Sequence, residues 1–199
     1  MDETGCEKVN LIAHSKGGLD ARYMISALNM GEYVASCTMV SSPHRGCKFI
    51  DKAMKMPEGI YQLISRIVNR AFRKFGDHNP DFYTACRQFT TGFCEEFNAN
   101  NQDDPRVYYQ SYASVMKSMF SDIVLSIPYL IVRLTAGEND GLVSVDSAQW
   151  GTFRGVIRNK YRRGISHGDM IDLRRDDYRG FDVRKFYINL VSELKQKGF

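Results

Sequence analysis

The chain has 199 residues, of which 43% are hydrophobic and 25% charged, a composition that is typical of globular proteins and excludes extensive disorder or fibrous repeats. The 27 basic and 23 acidic residues leave a net charge of +4, which is too small and too scattered to indicate a nucleic-acid partner. No apolar run approaches the ~18 residues of a membrane span, and the length fits a single domain over residues 1–199. The acidic, polar start lacks the pattern of a signal peptide, which indicates the cytoplasm for the chain as encoded and leaves secretion open for a longer parent.

The N-terminal quarter places one amphipathic segment between two short apolar runs. Residues 9–13 are typical of a buried strand, and a helical pattern follows from Leu19 to a stop at Gly31. Residues 36–40 predict a second strand, which ends in loop residues 41–46. Strand, helix and strand in this order predict a βαβ unit with parallel strands.

Residues 47–128 differ from this pattern and predict a mostly helical insertion. Apolar residues keep helical spacing over 60–75, and shorter helices are expected over 82–89 and 91–97. Residues 107–112 show the alternation of a strand. The helix over 60–75 would be either a lid that opens on lipid or an ordinary part of a packed cap.

The sheet is expected to return in the last third of the chain. The sequence predicts an apolar strand over 129–134, which ends in a loop at 137–141, and a further short strand over 153–157. A glycine-flanked loop over 164–169 precedes a closing amphipathic helix over 182–195. The expected fold class is therefore α/β, with a mostly parallel sheet.

The five cysteines do not have the spacing of a zinc site, because no C-x-x-C pair occurs. A Cys86–Cys94 disulfide stays open as an alternative, whereas Cys37 lies in an apolar run and is expected to be a small buried side chain. Free thiols would point to a reducing compartment.

The pentapeptide Ala13-His14-Ser15-Lys16-Gly17 lies between the first strand and the first helix. A nucleophile elbow occupies this place in α/β-hydrolases, where a sharp turn holds a serine above the carboxyl edge of a parallel sheet. Such a turn needs small residues two positions before and after the serine, here Ala13 and Gly17. The alternative is an ordinary turn in which Ser15 is the N-cap of the helix.

A nucleophilic Ser15 needs a histidine base, and the base needs a carboxylate that orients it. Of the four histidines, His14 is expected to pack in the core, His44 to make structural hydrogen bonds and His78 to lie in a polar loop. His167 remains as the candidate base, because its glycine-flanked loop can bring an imidazole to the sheet edge.

Asp140 is the candidate orienting acid, since it follows the predicted strand over 129–134 and would face the same edge of the sheet. The chain order Ser15, Asp140, His167 is that of α/β-hydrolases. The elbow, the acid and the late histidine together predict a Ser-His-Asp site.

Residues 9–23 closely resemble the elbow and following helix of bacterial triacylglycerol lipases of the Pseudomonas and Burkholderia type, which are α/β-hydrolases. The resemblance continues in short segments along most of the chain: 34–36, 42–46, 139–144, 156–158 and His167. It implies that Ser15 is the nucleophile, Asp140 the orienting acid and His167 the base. It also implies that residues 47–128 form the cap and lid that shape the acyl pocket.

Lipases of this type often bind one structural calcium ion near the histidine loop. By resemblance, Asp169 matches one carboxylate ligand, although a solvated loop acid is the alternative. Asp122 matches the second ligand poorly, because the spacing is shorter in this chain. The disulfide of the family has no counterpart that can be placed here, and no organic cofactor is implied.

The same lipases have about four strands before the elbow, whereas the first predicted strand of this chain starts at residue 9. The backbone N–H of Lys16 would be one donor of the oxyanion hole, but the loop that normally gives the other donor has no source here. The chain is therefore expected to be the C-terminal part of a lipase without its first strands. The strand over 9–13 would then be an exposed edge that favours self-association.

The leading hypothesis is a serine ester hydrolase, a lipase or carboxylesterase, that cleaves acylglycerols or other carboxylic esters through an acyl-enzyme on Ser15. One alternative is a catalytically impaired fragment of a lipase, and another is an acyltransferase in which an alcohol replaces water. The expected partner is an ester or lipid substrate, with transient contact to a lipid interface through the cap.

Overall fold

Four parallel strands form the central sheet, in the order β1-β2-β3-β4. The computed structural model describes residues 3, 5–74, 76, 78–173 and 180–199. The strands are β1 (Val9–His14), β2 (Val34–Val40), β3 (Tyr108–Ser114) and β4 (Thr152–Ile157). Because all four are parallel, their carboxyl ends lie at one edge of the sheet, where a site can collect residues from several loops.

Helices connect and cover these strands in the described part of the chain. They are α1 (Lys16–Ser26), α2 (Lys48–Ala53), α3 (Glu58–Lys74), α4 (Phe82–Arg87), α5 (Thr91–Asn100), α6 (Ser126–Ala136) and α7 (Val183–Gln196). Short 3₁₀ turns lie at Met30–Tyr33, Met119–Ser121 and His167–Ile171. Helix α1 joins β1 to β2, which forms the predicted βαβ unit.

Strand β2 is buried on both faces, and five of its seven residues are apolar. Cys37 and Met39 pack on one side of the sheet with Ile25 of α1. Val40 lies on the opposite side, where it packs with Met170 and with residues of α7. This alternation follows the two-residue period of a strand.

The α/β class predicted from the sequence is confirmed, and most predicted elements occur within a few residues of their expected bounds. This holds for the strands expected over 9–13, 36–40 and 153–157 and for the helices expected over 82–89, 91–97 and 182–195. The last helix begins after Asp182, whose side chain accepts a hydrogen bond from the backbone N–H of Lys185 at 3.0 Å.

The strand predicted over 129–134 is wrong, because these residues belong to helix α6. A short apolar run does not distinguish a buried strand from a helix. The buried residues Tyr129 and Val132 are three positions apart, which is the spacing of one helical face. Pro128 lies in the first turn, where its missing N–H removes no helical hydrogen bond.

The predicted insertion over 47–128 contains a strand of the main sheet. Residues 107–112 were expected to be strand-like, and β3 pairs in parallel with both β2 and β4. The helical part between β2 and β3 ends at Asn100, so the boundary at 128 is wrong. The role of these helices as a cap stays a prediction.

Helix α3 forms over most of the predicted range of 60–75, and residue 75 lies outside the described residues. Ile60 and Leu63 are exposed on it. Other apolar side chains of the predicted stripe also lie outside the described part: Ile64, Ile67, Val68, Ala71 and Phe72. Among the described residues, no helix is both long enough and apolar enough to cross a membrane.

All five cysteines lie in the described part, and Cys37, Cys47, Cys86 and Cys94 are buried thiols that form no disulfide. The Cys86–Cys94 disulfide is therefore not formed. Burial raises the pKa of the Cys37 thiol to about 12 and that of Cys94 to about 11. These side chains are protonated, unreactive parts of the core.

Candidate active site

Ser15 is the single residue between the end of β1 and the start of α1. Its backbone has φ 55° and ψ −130°, a conformation that costs a residue with a side chain about 1–3 kcal/mol. Two hydrogen bonds hold the turn, from Ser15 N–H to Val40 O at 3.0 Å and from Gly18 N–H to Ser15 O at 3.1 Å. Such strain is typical of a functional site, and it lifts the serine above the sheet edge as an elbow requires.

Small residues are needed around this turn, but the tightest contact lies at Gly18. A Cβ atom on Gly18 would lie 2.6 Å from Ser42 Cβ, because α1 packs directly on the loop after β2. A Cβ atom on Gly17 would lie 3.8 Å from Ala13 Cβ, which is ordinary van der Waals contact. The alanine at position 13 therefore fits the turn.

The structure brings Ser15, His167 and Asp140 into one continuous chain of hydrogen bonds. His167 Nε2 lies 2.8 Å from Ser15 Oγ, and His167 Nδ1 lies 2.9 Å from Asp140 Oδ2. Both distances suit proton transfer and orientation of the ring. This geometry can activate a serine for attack on a carbonyl carbon.

His167 is the first residue of a 3₁₀ turn that follows Ser166. Its backbone N–H donates to Asp140 O at 2.8 Å, so that His167 and Asp140 are joined through the main chain as well as through their side chains. The Asp169 side chain accepts from Ser166 N–H at 2.8 Å and closes the turn as a capping box. The main chain is thus fixed at His167 and at the residue before it.

Asp140 lies in the loop after α6, and not at the end of a strand as the sequence predicted. Its carboxylate is buried and accepts hydrogen bonds from Leu142 N–H at 3.1 Å and Val143 N–H at 2.9 Å. Burial would raise the pKa of Asp140, but the charge and hydrogen bond of His167, with the two N–H groups, outweigh it and hold the pKa below its usual range. Asp140 is therefore ionised at neutral pH, which suits the role of orienting acid that the sequence predicts for it.

Two serines that the sequence did not single out extend the site. Ser114 Oγ lies 3.4 Å from Asp140 Oδ2, and Ser41 Oγ lies 3.0 Å from Ser114 Oγ. Ser41 follows the last residue of β2, and Ser114 is the last residue of β3. Polar residues at the carboxyl ends of parallel strands were the available signal, but the position of β3 in the sheet was needed to use it.

His14 lies against His167, although the sequence predicted core packing away from it. The two ring centroids are 4.4 Å apart and the rings are tilted. Burial, followed by the nearby charge of His167, lowers the pKa of His14 to about 4. The His14 ring is therefore neutral at pH 7 and does not add a second positive charge beside His167.

The other two histidines lie apart from this chain of hydrogen bonds. His44 is fully buried, and neither of its ring nitrogens has a hydrogen-bond partner within the described residues. The structural hydrogen bonds expected of it come from its main chain, whose N–H donates to Ser147 O and whose O accepts from Asn98 Nδ2. His78 is exposed.

Lys16 begins helix α1, so its backbone N–H belongs to the first turn, where amides have no partner within the helix. The positive end of the helix dipole lies at the same place. The side chain of Lys16 points to Asp20, with Lys16 Nζ 2.5 Å from Asp20 Oδ1. This position fits an oxyanion donor directly after the serine.

Asp169, the candidate calcium ligand, already binds a cation of the chain itself. Arg163 Nη1 lies 2.5 Å from Asp169 Oδ2, and Nη2 lies 3.1 Å from Oδ1. Among the described residues, no group of three or more acidic, histidine or cysteine side chains is placed to hold a metal ion. Calcium usually takes six to eight oxygen ligands, and both oxygens of Asp169 already bind Arg163, so the described residues of this turn do not fit the ion.

Known proteins are similar to this chain in sequence and in fold. No family model matches the chain. Triacylglycerol lipase 2 of Saccharomyces cerevisiae is 31% identical over 207 residues, which cover 96% of this chain and 58% of the yeast protein. A triacylglycerol lipase of Pseudomonas fragi is 27% identical, with 98% of this chain and 76% of that protein covered.

This chain therefore spans little more than half the length of the yeast relative. The crystal structure of Staphylococcus hyicus lipase superimposes with a TM-score of 0.64 at 16% identity, and covers 95% of this chain and 70% of that one. At that identity the likeness shows the fold alone. The chain thus shares its fold with bacterial lipases of known structure and is similar in sequence to bacterial and yeast triacylglycerol lipases.

Proposed function

We propose that this chain is a serine ester hydrolase of the lipase or carboxylesterase type. The observation that carries the proposal is the continuous hydrogen-bonded chain from Ser15 through His167 to Asp140, with Ser15 on a strained turn at the sheet edge. The relationship to triacylglycerol lipases supports acylglycerols as the substrate class.

In the proposed reaction, Ser15 Oγ attacks the ester carbonyl carbon while His167 Nε2 accepts its proton. Asp140 stabilises the imidazolium that forms, and the Lys16 N–H donates to the carbonyl oxygen as it becomes negative. The protonated His167 then gives its proton to the departing alcohol. Water, deprotonated by His167, releases the acid from Ser15 and restores the starting state.

An apolar surface next to the Asp140 loop supports contact with a lipid interface. Large apolar side chains are exposed on α6 and on the segment before it: Phe120, Ile123, Val124, Ile127 and Leu134. This segment reaches the loop that carries Asp140, since Leu125 lies against Gly141. A Cβ atom added to Gly141 would be only 2.9 Å from the side chain of Leu125. We expect an Ile123→Ser, Leu134→Ser double variant to hydrolyse emulsified tributyrin more slowly and a soluble ester at the unchanged rate. Equal rates on the emulsion would contradict lipid contact at this surface.

Hydrolysis of a soluble short-chain chromogenic ester tests the function directly. The wild-type chain should release the chromophore, and Ser15→Ala should reduce the rate to that of buffer. Ser192→Ala is the matched control, because this exposed serine of α7 lies outside the site. Full activity in Ser15→Ala would end the proposal.

A further inference from the structure

We propose that Arg163 is a built-in replacement for a structural metal ion at the turn that carries His167, and that hydrolysis is therefore independent of calcium. Arg163 would act as a positioning residue, because it acts on His167 through Asp169 and the turn that Asp169 closes. The proposal rests on the proposed function in one respect, the role of His167 as the base.

The ion pair has the geometry of a fixed connection. Both nitrogens at the end of the guanidinium group bind both oxygens of Asp169, which is the bidentate arrangement that combines strength with orientation. The Asp169 side chain is 2% exposed, whereas that of Arg163 is 29% exposed. A carboxylate buried to this degree needs a cation beside it, and Arg163 supplies one.

Two acids reach the residue that precedes the base. Asp169 accepts from Ser166 N–H at 2.8 Å, and Asp122 Oδ2 lies 3.3 Å from Ser166 Oγ. Sequence spacing predicts a poor match for Asp122, yet the fold brings it to this turn. Ser166 is thus fixed through its main chain and its side chain, and its position decides where His167 begins.

The main chain of Arg163 is also held in place. Its carbonyl oxygen accepts hydrogen bonds from Lys117 N–H at 3.2 Å and from the hydroxyl of Ser121. The cation is therefore part of the folded chain and needs no uptake from solution. A calcium ion at Asp169 would first have to displace a guanidinium group that occupies both carboxylate oxygens.

Loss of this ion pair is expected to lower turnover and to leave substrate binding almost unchanged. Loss of the Arg163–Asp169 pair loosens the turn, so that His167 spends less time within hydrogen-bond distance of Ser15. For comparison, residues that orient metal-binding histidines through hydrogen bonds typically contribute 10- to 100-fold to activity. We therefore expect Arg163→Ala to lower kcat by about 10- to 100-fold with little change in KM. Arg163→Lys should recover part of this loss, because it keeps the charge but not the bidentate geometry.

The test uses the full chain, with calcium chloride itself as the probe. Activity on a soluble ester and the midpoint of thermal unfolding are measured in EDTA and in millimolar calcium, for wild type, Arg163→Ala, Arg163→Lys and the control Arg158→Ala. Arg158 makes a comparable ion pair with Glu138, at 2.6 Å, but both partners are exposed. We expect the same kcat and the same unfolding midpoint for wild type in both buffers, and an unchanged kcat for Arg158→Ala.

Two results would overturn the proposal. One is a wild type that loses activity or thermal stability in EDTA and regains it with calcium. The other is an Arg163→Ala variant that keeps the kcat of Arg158→Ala. The unfolding midpoint can be measured without turnover. A chain that proves inactive would refute the proposed function, and the midpoints in EDTA and in calcium would still show whether the fold depends on calcium. If Arg163→Ala does not fold, Arg163→Lys and the wild-type chelation result decide it.

Discussion

Replacement of Asp140 by asparagine should reduce turnover strongly while the fold stays intact. The carboxylate lies 2.9 Å from His167 Nδ1 and is buried, so the charge centres of Asp140 and an imidazolium are about 4 Å apart. At an effective dielectric constant of about 20, the attraction lost is about 4 kcal/mol, which corresponds to about 10³-fold in kcat. An amide also favours the wrong ring tautomer, and the same change in serine proteases costs about 10⁴-fold.

The assay compares kcat on a soluble ester for wild type, Asp140→Asn and Asp146→Asn. Asp146 is an exposed carboxylate of the same loop and is the control. Thermal unfolding at neutral pH verifies that each variant is folded. A kcat for Asp140→Asn within about tenfold of wild type would refute the role of Asp140, since about 1.4 kcal/mol is too little for the loss of a buried charge partner.

The acid limb of stability gives an independent readout of the same group. The pKa of Asp140 is lower in the folded chain than its ordinary value of about 3.9. Its contribution to stability is therefore present above that value and is lost as the pH falls through the lowered folded pKa. The Asp140→Asn variant should lack this part of the loss, so that its unfolding free energy falls less steeply with acid below about pH 4.

Three further predictions concern the surroundings of the site. His14→Phe should lower kcat far less than His167→Ala does, because the phenyl ring replaces an imidazole that is already neutral at pH 7. Equal losses of kcat in two folded variants would identify His14 as part of the proton transfer. Gly18→Ala should lower the free energy of unfolding by about 1–3 kcal/mol through overpacking, whereas Gly59→Ala, where a new Cβ atom meets open space, should not, as chemical denaturation would measure. Ile12→Lys places a charge on the edge strand β1 and should reduce self-association measured by light scattering. A wild type that is monomeric at all concentrations would contradict the expectation that this edge pairs with another chain.

Much of the site could be predicted because its signals are local in sequence. The elbow around Ser15 depends on one strand, one turn and one helix that are consecutive in the chain, and each has a clear pattern. His167 was found by elimination among four histidines. Those inferences needed only the order of the elements and not their packing.

What failed depended on tertiary contacts. The apolar run before Asp140 has no periodicity that separates a strand from a helix, and only the burial of Tyr129 and Val132 shows the helical face. Ser114 could not be connected to Asp140 before β3 was known to lie beside β2. The fold also brings Asp122 within 3.3 Å of Ser166, a contact that linear spacing does not reveal.

Covalent labelling of the nucleophile tests the central claim most directly. The wild-type chain is incubated with a fluorophosphonate, its intact mass is measured, and the modified peptide is located by tandem mass spectrometry. The account predicts a single adduct on Ser15, whose formation slows strongly in His167→Ala and Asp140→Asn, because only a serine with a working base reacts fast. An adduct on another serine, or labelling of Ser15 that is as slow in wild type as in His167→Ala, would contradict it.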